Sequence, residues 1–363
     1  MPDEEPVTSA TFDMHRTLLA RQTGHLMSTD DLDTRPTDAP PVDSLLLVGF
    51  GGPEGPDDVL PFLENVTRGR GIPPERLREV GGHYLEVFGG VSPINAQCRE
   101  LQAALQTAVP ELPVYWGNRN WHPFLADTLA TMAADGRRHA LAVVTSAFPS
   151  YSGCRQYRED IAAANVPGGP VVTKLRHYYA EEGFLDVMRR NVSACELPGA
   201  RLVFTAHSIP LVMAASSGPS GNAYVDTLRI ACARIAGNGA WDLVFQSRSG
   251  PPQVPWLEPD VSDHLHKLYG EGVREVVLVP VGFTSDHVEV VYDLDVQARE
   301  RVEHLEGLEL RRAATVGTDP EFVAMLAALV RERIAATAEL TDHGCLATHD
   351  RCPIGCCPPP PRR

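Results

Sequence analysis

No stretch of the 363 residues approaches the roughly 18 consecutive apolar positions of a membrane-spanning helix, so an integral membrane segment is not expected. The start, Met1-Pro2-Asp3-Glu4-Glu5, lacks the basic and apolar regions of a secretory signal, and a cytoplasmic location is the expectation. Positive charge is in short supply. Against 47 Asp and Glu stand 32 Lys and Arg, giving a formal net charge of -15. That balance argues against nucleic acid or an anionic membrane surface as the main partner. Dinucleotide and Walker signatures are also missing. The turn Gly49-Phe50-Gly51-Gly52-Pro53 follows a strand as phosphate loops do, but Pro53 removes an amide donor that such a cradle uses. It reads as close backbone approach to a flat ligand, or as a tight turn.

What is present is a chain long enough for two ordinary domains, with 43% apolar residues to build their cores. Residues 1–42, rich in Pro, Asp and Thr, read as a mostly disordered extension with a short helix near Phe12 to Leu26. Order begins at Ser44-Leu45-Leu46-Leu47-Val48, and strands then alternate with amphipathic segments. Leu141–Thr145, Arg201–Ala206, Leu243–Gln246 and Val276–Val281 read as strands, and Tyr224–Ala236 and Pro320–Ala336 as helices. This is an α/β pattern of parallel sheets flanked by helices. The halves also echo each other. Tyr115 to Asn118, Arg119, Trp121-His122-Pro123 and Thr145-Ser146 run parallel to Gln246-Ser247-Arg248, Pro255-Trp256-Leu257-Glu258-Pro259 and Thr284-Ser285. Two related domains are expected, 43–197 and 198–338, facing across a cleft, followed by a Cys-rich tail, 339–363.

The richest segment for chemistry is Thr284-Ser285-Asp286-His287-Val288-Glu289-Val290-Val291-Tyr292-Asp293-Leu294-Asp295, at the carboxyl end of an apolar strand. Open α/β sheets place ligands there. One imidazole and several hard oxygens suit ferrous iron and also suit proton transfer. If 287–303 is a helix, Glu289, Asp293 and Gln297 share one face, with Glu300 three residues on. A solvated acidic face is the commoner origin of such spacing, but the apolar neighbours Val288, Val290 and Val291 point to a packed helix. His207 ends another strand, in Ala206-His207-Ser208-Ile209-Pro210, where it points into the same cleft. The hydroxyls and guanidiniums of Ser150 to Arg158 suit ligand carboxylates, or form a polar loop capped by Ser152. Eight cysteines in a reducing compartment are thiols or metal ligands. Cys345, Cys352, Cys356 and Cys357 crowd the tail, in a spacing that fits no common zinc finger.

Taken together these motifs resemble the ferrochelatase family over about residues 44–335. The resemblance rests on Leu45-Leu46-Leu47-Val48 with Gly51-Gly52-Pro53-Glu54, and on Gly89-Gly90-Val91-Ser92-Pro93-Ile94. It rests also on Ala206-His207-Ser208-Ile209-Pro210, Gln246-Ser247-Arg248-Ser249-Gly250, Pro255-Trp256-Leu257-Glu258-Pro259 and Gly282 to Glu289. The resemblance implies two Rossmann-like, chelatase-type domains around a porphyrin cleft and insertion of ferrous iron, as substrate, without nucleotide. It implies His207 and Glu289 as the catalytic pair on opposite faces of the macrocycle, with Asp293 next in the iron path. Gln297 departs from the acid often found one turn later. Gly153-Cys154-Arg155-Gln156-Tyr157 looks like actinobacterial members acting on coproporphyrin III, and the polar stretch Arg68 to Ser92 fits a substrate with four propionates. By resemblance Phe50, Arg68, Ser92 and Tyr157 contact the porphyrin. Phe50 excludes an axial phenolate from that position. The tail resembles a 2Fe–2S ligand set of Cys154, Cys345, Cys352 and either Cys356 or Cys357. A monomer is expected, with transient contact to the next haem-pathway enzyme. Protoporphyrin IX as substrate, a cobalt or nickel chelatase, and a non-catalytic porphyrin carrier are the alternatives. The acidic row beside His207 counts against the carrier.

Overall fold

The computed structural model describes residues 39–69, 71–250, 253–335 and 355–359. Most of the expected N-terminal extension, its short helix, Cys345 and Cys352 lie outside the described residues.

Two four-stranded parallel sheets form the frame. The first contains β1 (Ser44–Gly49), β2 (Val114–Asn118), β3 (His139–Val144) and β4 (Val171–Lys174) in the order β2-β1-β3-β4. The second contains β5 (Arg201–His207), β6 (Trp241–Gln246), β7 (Glu275–Val279) and β8 (Glu309–Arg312) in the order β6-β5-β7-β8. The same order occurs twice, which is the structural counterpart of the internal repeat. The matching Trp-Pro segments return to matching places. Phe124 bridges to Asn118 at the end of β2, and Asp260 to Phe245 near the end of β6. β1 and β3 are buried at every position, because helices cover both faces of the sheet and leave no side for polar residues.

The largest apolar core runs through both sheets, from Leu45 and Leu47 to Phe204, Val277 and Val279. The helix Pro320–Ala335, expected with the second half, reaches back to pack on Ile94–Ala108 and Glu182–Ser193. Phe322 meets the rings of Tyr178 and Phe184, and Arg190 pairs with Asp319 and Glu321. Gly183 admits this contact, since a Cβ there would lie 2.6 Å from the Met325 side chain. The carboxyl ends of the two sheets meet where the Thr284 hydroxyl donates to the Thr145 carbonyl at 3.2 Å. A cavity of about 20 Å³, room for one water, lies at this junction beside Gln97, Cys98 and Thr284. His207, Glu289 and Asp293 do not line it.

Candidate active site

His207 is the last residue of β5, and everything around it fixes its backbone. Its carbonyl accepts the Tyr224 hydroxyl at 2.9 Å. The next residue, Ser208, donates its N–H to the Gln246 carbonyl and its hydroxyl to the Leu257 carbonyl, each at 2.8 Å. The imidazole Nδ1 lies 2.5 Å from the Ser208 carbonyl oxygen. That oxygen can only accept, so Nδ1 carries the hydrogen and the neutral ring presents the Nε2 lone pair. Nε2 lies 3.8 Å from Glu289 Oε1.

The resemblance implies these two groups on opposite faces of a planar macrocycle, which needs about 7 Å between them, two van der Waals contacts. At 3.8 Å they are closer than that, so no flat ligand fits between the two side chains as they stand in this structure.

Glu289 sits at the start of the expected helix. The segment runs as Val288–Val290, a π-wound stretch Val291–Gln297, and Ala298–Val302. Val288, Val290, Leu294, Ala298 and Val302 are all buried, so one side is packed down. Glu289 and Asp293 lie on the side that faces His207. π-Winding is rare and concentrates at functional sites. Asp293 Oδ2 accepts a hydrogen bond from the Ser247 hydroxyl and another from Gln246 Nε2 at 3.4 Å. Gln246 Nε2 also holds the Glu289 carbonyl at 2.7 Å. Ser247 adopts φ +61, a left-handed conformation costing on the order of 1 kcal/mol in a residue with a Cβ. Gln297 and Glu300 are exposed, so the row leads from His207 to the surface. Among the described residues no three His, Cys, Asp or Glu converge on a metal-sized point, so the trio is a row and not a cage.

The row is electrostatically graded. Partial burial pushes the Glu289 carboxyl up, but the His207 imidazole 3.8 Å away and the charge of His287 outweigh it and bring the pKa down to about 2. Burial pulls His207 down, while the Glu289 carboxylate 3.8 Å away and the Ser208 carbonyl leave it above its ordinary value. Asp293 is pushed up to about 7, by burial first and by the Glu289 charge, against the Ser247 and Gln246 hydrogen bonds. Burial lowers His287. His207 and Glu289 retain 32% and 49% side-chain exposure, so solvent screens their interaction.

Of the four carboxylates in the segment only Glu289 and Asp293 face His207. Asp286 and Asp295 are bound to Arg312 instead. The motif Gln246-Ser247 carries more of the site than sequence reasoning gave it. Its position at the end of β6, beside the end of β5, was the available signal. Tyr84, which no sequence motif singles out, and His83, part of the polar stretch Arg68 to Ser92, also reach this region. Tyr84 is pushed up by burial and by the charges of Glu289 and Asp293. His83 stacks on Tyr292 with ring centroids 3.8 Å apart, joining the helix Pro74–Phe88 to the Glu289 helix.

The expected porphyrin contacts belong to the half of the chain built on the first sheet. Phe50 directly follows β1 and is half-buried, its ring edge-on to Phe62 at 6.3 Å. The Arg119 guanidinium lies 5.7 Å from Phe50 and 4.4 Å over Tyr157. Tyr157 is 5% exposed and packs into the sheet core, and Ser92 is 4% exposed. Ser92 packs under Gly52, where a Cβ would come within 2.8 Å of it. Arg68 is exposed beyond the helix Val59–Val66. Cys154 is buried in the π-wound turn Tyr151–Arg155. Cys356 and Cys357 are buried with sulfurs 3.8 Å apart, and Cys357 Sγ accepts the Gly218 N–H at 3.1 Å.

Residues 42–334 match the family model for ferrochelatase. A coproporphyrin III ferrochelatase of Streptomyces coelicolor is 52% identical over 356 residues, covering 88% of this chain and 94% of its own length. One from Nocardia farcinica is 49% identical over 88% of this chain and 97% of its own. A ferrochelatase of Rhodopirellula baltica is 48% identical over 90% and 96%. Among solved structures, SirB from Bacillus subtilis with Fe3+ superimposes with a TM-score of 0.50 at 13% identity, covering 81% of this chain and 96% of that one. That likeness concerns the fold alone, two parallel sheets of the chelatase kind. A family model matched from the first strand to the last helix, and relatives half identical along nearly their whole length, place this chain in the ferrochelatase family.

Proposed function

We propose that this protein inserts ferrous iron into coproporphyrin III, giving Fe-coproporphyrin III in haem biosynthesis. The observation that carries the reading is the His207–Glu289 contact at the meeting edge of two chelatase-type sheets, with Asp293 behind it. Insertion requires iron to shed water and two pyrrole N–H protons to leave. In its neutral form His207 accepts a pyrrole proton at Nε2, and the Glu289 carboxylate beside it stabilises the imidazolium that forms. Asp293, titrating near neutrality, takes the proton onward along the row toward solvent. The same nitrogen and oxygens suit ferrous iron as it passes, so iron is cargo here and not a resident ion. The substrate choice is supported by the curated relatives named for coproporphyrin III and by the polar helix Pro74–Phe88, where Arg76 and Arg78 stand at the surface. Phe50, Arg68, Ser92 and Tyr157 are the porphyrin-contact residues of this reading.

Four thiols complete it. Cys154, Cys345, Cys352 and one of Cys356 and Cys357 hold a 2Fe–2S cluster. Support comes from the burial of Cys154, Cys356 and Cys357 and from the Gly218 N–H directed at the Cys357 sulfur, since amide hydrogen bonds to sulfur tune such clusters. The cluster contributes electron-accepting iron and sulfide. The chain's own part is four thiolates and a backbone donor. Among the described residues no helix is long and apolar enough to cross a membrane. In this reading the protein works in the cytoplasm as a monomer of two domains, 43–197 and 198–338. It hands its product over by transient contact with the next enzyme of the pathway.

The test of substrate is anaerobic metallation of coproporphyrin III and protoporphyrin IX in parallel, followed by the Soret band. The expected result is faster turnover of coproporphyrin. Faster protoporphyrin turnover overturns the substrate, cobalt or nickel in preference to iron overturns the metal, and no metallation of either porphyrin overturns the enzyme.

A further inference from the structure

Asp286 and Asp295 bracket the residues that face the cleft, one just before His287 and the other inside the π-wound stretch. Both converge on one side chain. Arg312, the last residue of β8, donates from Nε to both oxygens of Asp295 at 2.9 and 2.8 Å, and its Nη2 lies 2.7 Å from Asp295 Oδ2. Its Nη1 donates to Asp286 Oδ1 at 2.9 Å and to the Ala313 carbonyl at 3.3 Å. The guanidinium is 14% exposed, against 31% and 26% for the two carboxylates. β8 itself is paired along its length with β7, so the clamp is anchored to the sheet and not to a loop. Asp286 is held from the other half as well, because Gln97 Nε2 donates to its carbonyl at 3.2 Å.

We infer that Arg312 is a positioning residue for the reaction: by clamping Asp286 and Asp295 it fixes both ends of the turn of helix that carries Glu289 and Asp293. It touches neither substrate nor the reacting atoms. The planar fork is what the geometry uses. A guanidinium can engage two carboxylates at once with fixed directions, whereas an ammonium is a point charge on a flexible stem. The helix held this way begins with three residues of α-winding and passes at once into π-winding, which its own hydrogen bonds define loosely. An external clamp at Asp286 and Asp295 supplies the definition. Displacing Glu289 from His207 by about 1 Å is enough to cost on the order of 100-fold in rate.

The inference rests on the proposed reaction, so wild-type turnover is measured first and separates failure of that reading from failure of this one. The variants are Arg312→Lys, Arg312→Met and Asp295→Asn, with Arg299→Met as control, since exposed Arg299 lies 4.0 Å from Asp295 and leaves the clamp intact. Melting temperature, porphyrin affinity by fluorescence quenching, and kcat with ferrous iron are read for each. The expected result is a kcat down by about 10- to 100-fold in Arg312→Lys with porphyrin affinity unchanged, although the retained charge recovers most of the melting temperature lost in Arg312→Met. Asp295→Asn, which needs no change at Arg312, loses kcat in the same direction, and Arg299→Met stays at the wild-type rate. If Arg312→Lys recovers kcat together with stability, or Asp295→Asn turns over at the wild-type rate, Arg312 is only a charge that stabilises the fold and the inference is wrong.

Discussion

Removing the Ser247 hydroxyl tests the graded row without touching a group that meets substrate. Asp293 titrates near 7 because burial and the Glu289 charge push it up further than the Ser247 and Gln246 hydrogen bonds hold it down. Ser247→Ala deletes the stronger of those two bonds. A hydrogen bond to a charged group is worth about 1.5 to 3 kcal/mol, and one pKa unit corresponds to about 1.4 kcal/mol. With partial solvent access the expected rise is about one unit, to near 8. If Asp293 must be a carboxylate to relay the proton, kcat/KM climbs with pH through this value. The assay is the anaerobic pH profile of kcat/KM from pH 5.5 to about 9, which reports groups of the free enzyme. Ser247→Ala is expected to carry the acidic limb about one unit toward alkali, and Asp293→Asn to lose the limb and run at a lower, flat rate. The direction is diagnostic. The Asp293 charge helps raise His207, so a limb owned by His207 moves toward acid when Asp293 stays protonated longer. A limb that stays in place in Ser247→Ala, or moves toward acid, refutes the relay through Asp293.

Other outcomes follow from the same geometry. Asp293 has a raised folded pKa, so its ionisation takes stability away as pH rises from about 4 to about 7; Asp293→Asn is expected to unfold later than wild type at pH 8, by on the order of 1 to 2 kcal/mol, and to show no gain at pH 3.5 in urea titrations. Gly282 sits where β5 and β7 come together beneath His207, and a Cβ there would lie 2.7 Å from the Ala206 backbone. Gly282→Ala is expected to cost about 1 to 3 kcal/mol in thermal melts and to lower turnover, because relief requires moving the end of β5. The full chain prepared anaerobically with ample iron and sulfide is expected to be brown, with visible charge-transfer bands that Cys345→Ser and Cys352→Ser abolish. A colourless, iron-free preparation contradicts the cluster.

Strands of unbroken apolar residues were the easiest elements to read, because burial on both faces leaves one composition possible. β3, β5, β6 and β7 fall within two residues of the expected spans, allowing for the longer reach assigned to β7. β8 was not foreseen. Its sequence, Glu309-Leu310-Arg311-Arg312, is an edge strand with three charges, and charge is how edges are kept from pairing further. That omission hid Arg312, and with it the reason why Asp286 and Asp295 leave the cleft. The pairing of His207 with Glu289 was legible from strand ends and motif, but their approach to 3.8 Å was not. That depends on how two sheets approach, which no local pattern encodes. The last helix read correctly as a helix, yet its partners lie in the first half, and amphipathic spacing cannot say which core an apolar face will meet.

The central claim is that His207 and Glu289, acting together at the bound macrocycle, drive insertion. Single-turnover mixing of ferrous iron with coproporphyrin already bound to wild type, His207→Ala and Glu289→Gln tests it most directly. Equal porphyrin affinity in all three is predicted, with metallation at least about 100-fold slower in each variant, as expected when a positioned acid–base group is lost. Metallation at the wild-type rate in either variant, with porphyrin bound, contradicts the claim.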